Sequence, residues 1–137
     1  MTPISILIIQ AARQMLEWSA RECGLDRAGV SESETILLLS LHHRQGQTQT
    51  EIAHTLARDK TTVSRSISKL SDQGLVRTEV DSLDGRRNNL FLTAAGQSLI
   101  SGAAKLLEDA ITAAASLLTV DELKAVEIFL ETLESDR

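Results

Sequence analysis

The chain has 137 residues, a net charge of −5, 42% apolar and 24% charged residues, and only 2% aromatics. That length and balance predict a single folded domain with a small core and exclude a disordered chain. One cysteine, Cys23, excludes an internal disulfide and points to a reducing compartment, and the shortage of aromatics and proline argues against an all-β sandwich or barrel.

Helical spacing of Leu7, Ile8, Ala11, Ala12, Met15, Leu16 and Trp18 predicts a first helix over about Ile4–Glu22, stopped by Gly24. The apolar run Ile4 to Ile9 is broken by Ser5, follows no basic segment and falls far short of the ~20 residues a membrane span needs. Neither a signal peptide nor a membrane partner is expected, and the expected location is the cytoplasm. Ser31-Glu32-Ser33-Glu34 has the form of a capping box opening a second helix, which ends near Arg44 before Gly46. Ile36, Leu37, Leu38, Leu39 and Leu41 make it apolar nearly all round, the mark of a buried helix. Thr48-Gln49-Thr50-Glu51 is a second box, opening a short third helix with Ile52, Ala53 and Leu56 inward and an end near Arg58.

The fourth helix takes Asp59 as its N-cap and runs to Gln73, before Gly74. Val63, Ile67 and Leu70 form one narrow apolar face. The opposite side carries Thr61, Arg65, Ser68 and Asp72, with Thr62, Lys69 and Ser64 at its edges. Propensity alone would fill an exposed helix face with Glu, Lys or Ala, so threonines and serines there suit a helix lying close against something polar.

The period then changes. Leu75–Val80 and Asn89–Thr93 read as strands joined by the turn-rich, basic loop Asp81–Asn88, with Asp84-Gly85 at its tip. A fifth helix is predicted over about Ala94–Leu118, where Leu99, Ala103, Leu106, Ala110, Ala113 and Leu117 form a coiled-coil-like seam. Ile100, Leu107, Ile111, Ala114 and Leu118 add a second ridge, more than one small domain needs to cover. A third box, Thr119-Val120-Asp121-Glu122, opens a last helix with Leu123, Val126, Leu130 and Leu133 on one side.

Charge is divided along the chain. Arg58 to Arg87 holds seven of the 14 cations against five anions, while Glu108 to Arg137 holds eight anions against Lys124 and Arg137. A basic middle and an acidic end result.

Three compact helices followed by a two-stranded wing make a winged helix-turn-helix, in which the second helix of the motif enters the major groove. The run Thr48-Gln-Thr-Glu-Ile-Ala, Asp59-Lys-Thr-Thr-Val-Ser-Arg and Leu70-Ser-Asp-Gln-Gly-Leu-Val-Arg77 resembles the MarR-type (multiple antibiotic resistance regulator) transcription factors. So does Asp84-Gly-Arg-Arg followed by Leu90-Phe-Leu-Thr-Ala-Ala-Gly96. The detailed resemblance covers about Ser31 to Gly96. It implies a mainly α fold with a small β-hairpin wing: a winged helix-turn-helix core over about 31–96, flanked by dimerisation helices over about 4–22 and 94–135, in one domain of residues 1–137. It also implies a homodimer, a fourth helix reading the major groove, and a wing reaching the adjacent minor groove. Asp84 and Arg86 match the family's Asp-x-Arg wing motif, in which the aspartate orients the arginine. Ala57-Arg58 departs from the family, which often has a small residue such as glycine at that turn. The shortage of aromatics departs from its aromatic effector pockets.

The residues support the same partner, double-stranded DNA. Thr48 and Gln49 at one helix start, and Lys60 and Thr61 at another, suit phosphates. Arg65 can take guanine O6 and N7 together, unless it pairs with Asp72, and Ser64, Ser68 and the methyls of Thr61 and Thr62 can meet base edges. Lys69 stands between phosphate contact and plain solvation. Arg86 suits a narrow A·T minor groove, with Arg87 beside it. The expectation is a sequence-specific transcriptional regulator, a repressor, binding an inverted repeat as a homodimer and open to release by a small-molecule effector. A protein-binding winged-helix adaptor is the alternative and would show apolar anchors on the fourth helix. A Cys23 redox sensor is another, requiring a thiol in a cationic setting. His42, His43 and His54 lack metal-ligand spacing, and no catalytic motif is present, so neither cofactor nor enzyme activity is expected.

Overall fold

The computed structural model describes residues 1–135, so the last two residues of the expected 1–137 domain lie outside the described residues. The elements in order are α1 (Ile4–Glu22), α2 (Glu32–His43), β1 (Gln47–Thr48), α3 (Gln49–Leu56), α4 (Lys60–Asp72), β2 (Val76–Val80), β3 (Asn88–Leu92), α5 (Ala94–Ala115) and α6 (Val120–Ser135). Every one of these helices after the first opens on a side-chain cap. Ser31 Oγ accepts from the Glu34 amide at 3.2 Å while Glu34 Oε2 accepts from the Ser31 amide at 3.0 Å. Thr119 and Glu122 make the same reciprocal pair. The expected box at Thr48 is half made: its Oγ1 accepts from the Glu51 amide at 3.2 Å, but the Glu51 carboxylate turns to two arginines.

The core gathers around α2. Leu37, Leu38 and Leu41 meet Leu25 and Val30 from the α1–α2 link, Ile52 of α3, and Val63, Ile67 and Leu70 of α4. Leu90 and Leu92 of β3 and Ile100 and Ala103 of α5 close the cluster. Fully burying one such large aliphatic side chain contributes about 1.5–3 kcal/mol before entropy is counted. Burial of α2 is not complete all round, since Ile36 stays 38% exposed.

The wing holds a strand that periodicity does not predict. Two residues, Gln47 and Thr48, pair antiparallel with Leu90 and Asn89, giving a three-stranded sheet in the order β1-β3-β2. Gln47 is buried because its amide Nε2 donates to the Ser40 and Arg44 carbonyls at 2.9 and 2.8 Å, closing the end of α2. The hairpin loop is wider than an Asp-Gly tip suggests. Gly85 does not adopt a left-handed conformation, and the loop closes instead through the Asp81 amide on the Arg87 carbonyl at 2.8 Å.

Two further features position the helices. Between α3 and α4, Ala57 adopts φ +51°, the only non-glycine residue in the left-handed region among those described. That is the turn where a glycine would relieve strain, so the departure at Ala57-Arg58 carries a backbone cost of about 1 kcal/mol. At the start of α5, Thr93 Oγ1 accepts from the Gly96 amide at 3.0 Å and donates to the Gly74 carbonyl at 2.6 Å. The Thr93 amide donates to the Leu75 carbonyl at 3.1 Å. These bonds fasten the start of α5 to the turn that ends α4.

The outer helices are apolar and bare. Burial fades along α5, from Ile100 and Ala103 at 0% exposure to Ile111 at 55%. The helix stops at Ala115, short of the expected Leu118, and Leu117 and Leu118 fall in the turn before the Thr119 cap. Only Ser19 of α1 is buried, and no residue of α6 is. Among the described residues no helix is long and apolar enough to cross a membrane.

Candidate nucleic-acid interface

The exposed side of α4 follows from its inward side. With Val63, Ile67 and Leu70 in the core, helical geometry turns Thr61, Thr62, Ser64, Arg65 and Ser68 outward, and all five are exposed. The Asp59 cap, with its Oδ1 accepting from the Thr62 amide at 2.6 Å, aims the first turn. The Thr62 amide and hydroxyl, then the Arg65 charge, hold the Asp59 carboxyl below the usual carboxylate range. The cap is therefore fully formed at neutral pH and is lost only as pH falls through that lowered value. The competing Arg65–Asp72 ion pair does not form, and among the described residues no carboxylate lies within 4.0 Å of Arg65, Lys60 or Arg86.

Lys69 is a correction. Its ammonium donates to the Gly29 carbonyl at 2.7 Å and to both Glu34 oxygens at 2.9 Å, so it is neither free for a phosphate nor merely solvated. It ties α4 to the cap of α2, where the Glu34 side chain is 8% exposed. Removing it leaves that carboxylate without its counter-charge. Because Lys69 itself is half exposed, Lys69→Ala is expected to cost about 1–2 kcal/mol of stability. Urea unfolding measures this. A lower salt dependence of duplex binding at unchanged stability would make Lys69 a phosphate contact after all.

The starts of α3 and α4 face the wing across an open cleft of about 570 Å³, lined by Thr48, Gln49, Lys60, Arg86, Arg87 and Asn88 among others. Gln49 Nε2 donates one of its two N–H groups to the Lys60 carbonyl at 3.1 Å, so this amide links the two helix starts and keeps its second N–H to donate. The Thr48 hydroxyl accepts at the cap and keeps its proton to donate.

In the wing, Asp84 meets the backbone of Arg86 and forms no ion pair with its guanidinium. Asp84 Oδ1 accepts from the Arg86 amide at 3.0 Å, so Asp84 shapes the chain that carries Arg86 and does not grip its side chain. Asp81 does more, and sequence reasoning missed it. Its Oδ1 accepts from the Leu83 and Asp84 amides at 2.8 and 3.2 Å, and the Leu83 amide, then that of Asp84, lowers its carboxyl pKa. An aspartate two and three residues before such amides is an Asx-turn signal. Arg87 meets Glu51 at 3.4 Å, and Glu51 meets Arg44 at 2.8 Å.

The site thus brings together an exposed hydroxyl-rich helix face, two helix starts and three unpaired cations. Phosphate oxygens suit the cations and helix starts, and base edges suit Arg65 and the hydroxyls.

Comparison with known proteins matches residues 24–87 to the MarR family model. Among solved structures, Staphylococcus aureus MepR in its DNA-binding conformation is 25% identical with a TM-score of 0.83, covering 98% of each chain. The S. aureus MepR–DNA complex is 25% identical with a TM-score of 0.74, covering 99% of each chain. A putative MarR-family regulator of Listeria monocytogenes, complexed with 26mer DNA, is 24% identical with a TM-score of 0.79, covering 99% of this chain and 89% of that one. The curated proteins contain no match to the sequence.

Proposed function

We propose that the chain is a MarR-type winged-helix transcription regulator that binds double-stranded DNA sequence-specifically, as a repressor. The observation that carries this reading is the surface of α4: exposed hydroxyls and an unpaired Arg65, with no large apolar side chain exposed on it. An adaptor helix would offer apolar anchors there. MepR and the Listeria protein, both solved on DNA, support the same use of the fold. Thr61, Thr62, Ser64, Arg65 and Ser68 read the major groove. Thr48, Gln49 and Lys60 take phosphates, and Arg86, carried by Asp84, enters the minor groove. The bare faces of α1, α5 and α6 support a homodimer, whose two recognition helices match inverted half-sites about 10–10.5 bp apart. The place of action is the cytoplasm.

A groove of about 280 Å³ between α1 and α2 is where an effector would act. It contains Glu17, Asp26 and Glu32 against a single Arg21, and no aromatic ring, so its charge favours a cationic amphiphile over an anionic phenol.

Selection from random duplexes, followed by anisotropy against salt, tests the whole reading. Arg65→Ala is expected to cost about 1–3 kcal/mol at the selected site and to relax preference at one base position. Unchanged affinity and selectivity would remove Arg65 from base reading. In the same assay, release by an anionic phenol and not by a cationic amphiphile would exclude the groove's assignment.

A further inference from the structure

One carboxylate sits at the edge of a cleft meant for phosphate. Glu51 lies in the first turn of α3, where a capping box would turn it back to the Thr48 amide. Its Oε2 instead accepts from Arg44 Nη2 at 2.8 Å, at the end of α2, and its Oε1 from Arg87 Nη2 at 3.4 Å, where the wing loop enters β3. All three side chains are at least 38% exposed, so the ion pairs add little to stability. Their consequence is for charge. Two guanidinium groups are held on one carboxylate beside Lys60 and Arg86, which are unpaired.

We propose that Glu51 is a specificity-determining positioning residue, which keeps Arg44 and Arg87 from the phosphates of arbitrary duplex and fixes the pitch of the wing for the correct one. The inference rests on the DNA-binding reading above. Phosphates carry no sequence, so an arginine free to swing would strengthen binding to every duplex. In the loosely docked non-specific complex such an arginine can search for a phosphate. In the specific complex the register is set by α4, and a wing released from its brace must be ordered on contact. Loss of the brace therefore helps the wrong sequences and not the right one.

The size of the effect follows from counterion release. Each phosphate newly neutralised adds about 0.9 to the slope of log K against log salt, so affinity for random duplex falls about threefold more between 50 and 200 mM salt. With one or two arginines released, Glu51→Gln is expected to steepen the random-duplex slope by about 1–2 and narrow the preference for the selected site by roughly threefold to tenfold. Glu51→Gln combined with Arg87→Ala should return about one unit of that slope, and Arg87→Ala alone should leave the wild-type slope unchanged. The experiment is anisotropy with the full chain, on one random-sequence and one selected duplex, across salt. A Glu51→Gln slope that is unmoved or shallower overturns the proposal, even if the variant melts earlier, since a purely structural brace would change stability alone. A fall of about one unit for Arg87→Ala alone, a variant that leaves Glu51 paired to Arg44, also overturns it. No salt-dependent binding by the wild-type chain would overturn the DNA-binding reading together with this one. Salt-dependent wild-type binding with an unmoved Glu51→Gln slope overturns this one only.

Discussion

Gly96→Ala is expected to lower the melting temperature by about 10 °C, through a loss of about 3 kcal/mol. A Cβ built on Gly96 would stand 2.0 Å from the Leu75 carbonyl oxygen. The neighbour is backbone, and it cannot rotate away. It is also held, because the Leu75 carbonyl accepts from the Thr93 amide and the Leu75 amide donates to the Leu70 carbonyl at 2.9 Å. Relief requires α5 to move off the end of α4, breaking the Thr93 bonds and opening the core at Ile100. Gly85→Ala is the control, since nothing lies within 4 Å of its Cβ position. Thermal unfolding at fixed protein concentration compares the two. Equal melting temperatures would mean that the close approach at Gly96 does not hold in solution.

Leu130→Glu is expected to weaken binding to an inverted-repeat duplex by about 100-fold or more. No residue of α6 is buried within the chain, and Phe129, Leu130 and Leu133 are each about half exposed. A glutamate there meets no buried core among the described residues, so the loss is expected to come from the interface with a second copy. A dimer engages its second half-site intramolecularly, an avidity gain of about 10²–10⁴ that a monomer forfeits. Sedimentation and anisotropy on the same samples decide the matter. A monomer binding as tightly as wild type would refute the two-half-site reading. A persistent dimer would place the seam away from α6.

What the sequence discloses and what it withholds divide by distance along the chain. The bounds of α1, the boxes at Ser31 and Thr119, the Asp59 cap and the inward face of α4 all rest on residues within a turn or two of each other. Periodicity and capping chemistry reach that far. The β1 strand has two residues, too few for any period, and Gln47 looks like a surface residue until the end of α2 lies over it. Lys69 finds Glu34 across 35 positions, and Arg87 finds Glu51 across 36. Nothing local distinguishes those cations from Arg65 or Arg86, which stay unpaired. The wing aspartates differ in another way. Asp84 matches a known pattern and drew attention for it, while Asp81, with three hydrogen bonds across the loop, carries only the weaker signature of a turn.

The pairing of β1 with the central strand of the wing has an effect on recognition that no single side chain has. Because Gln47 and Thr48 are bonded into the sheet and Thr48 is also the cap of α3, the start of that helix and the root of the wing form one rigid caliper. A caliper does not adapt to what it spans. On the proposed reading, with one jaw on a phosphate and the other in a minor groove, it would fit only a duplex whose groove width matches their gap, and that width varies with base sequence. Base pairs that touch no residue then contribute to selectivity through their stiffness and shape. Exchanging them alone, with every contacted position kept, is expected to change affinity.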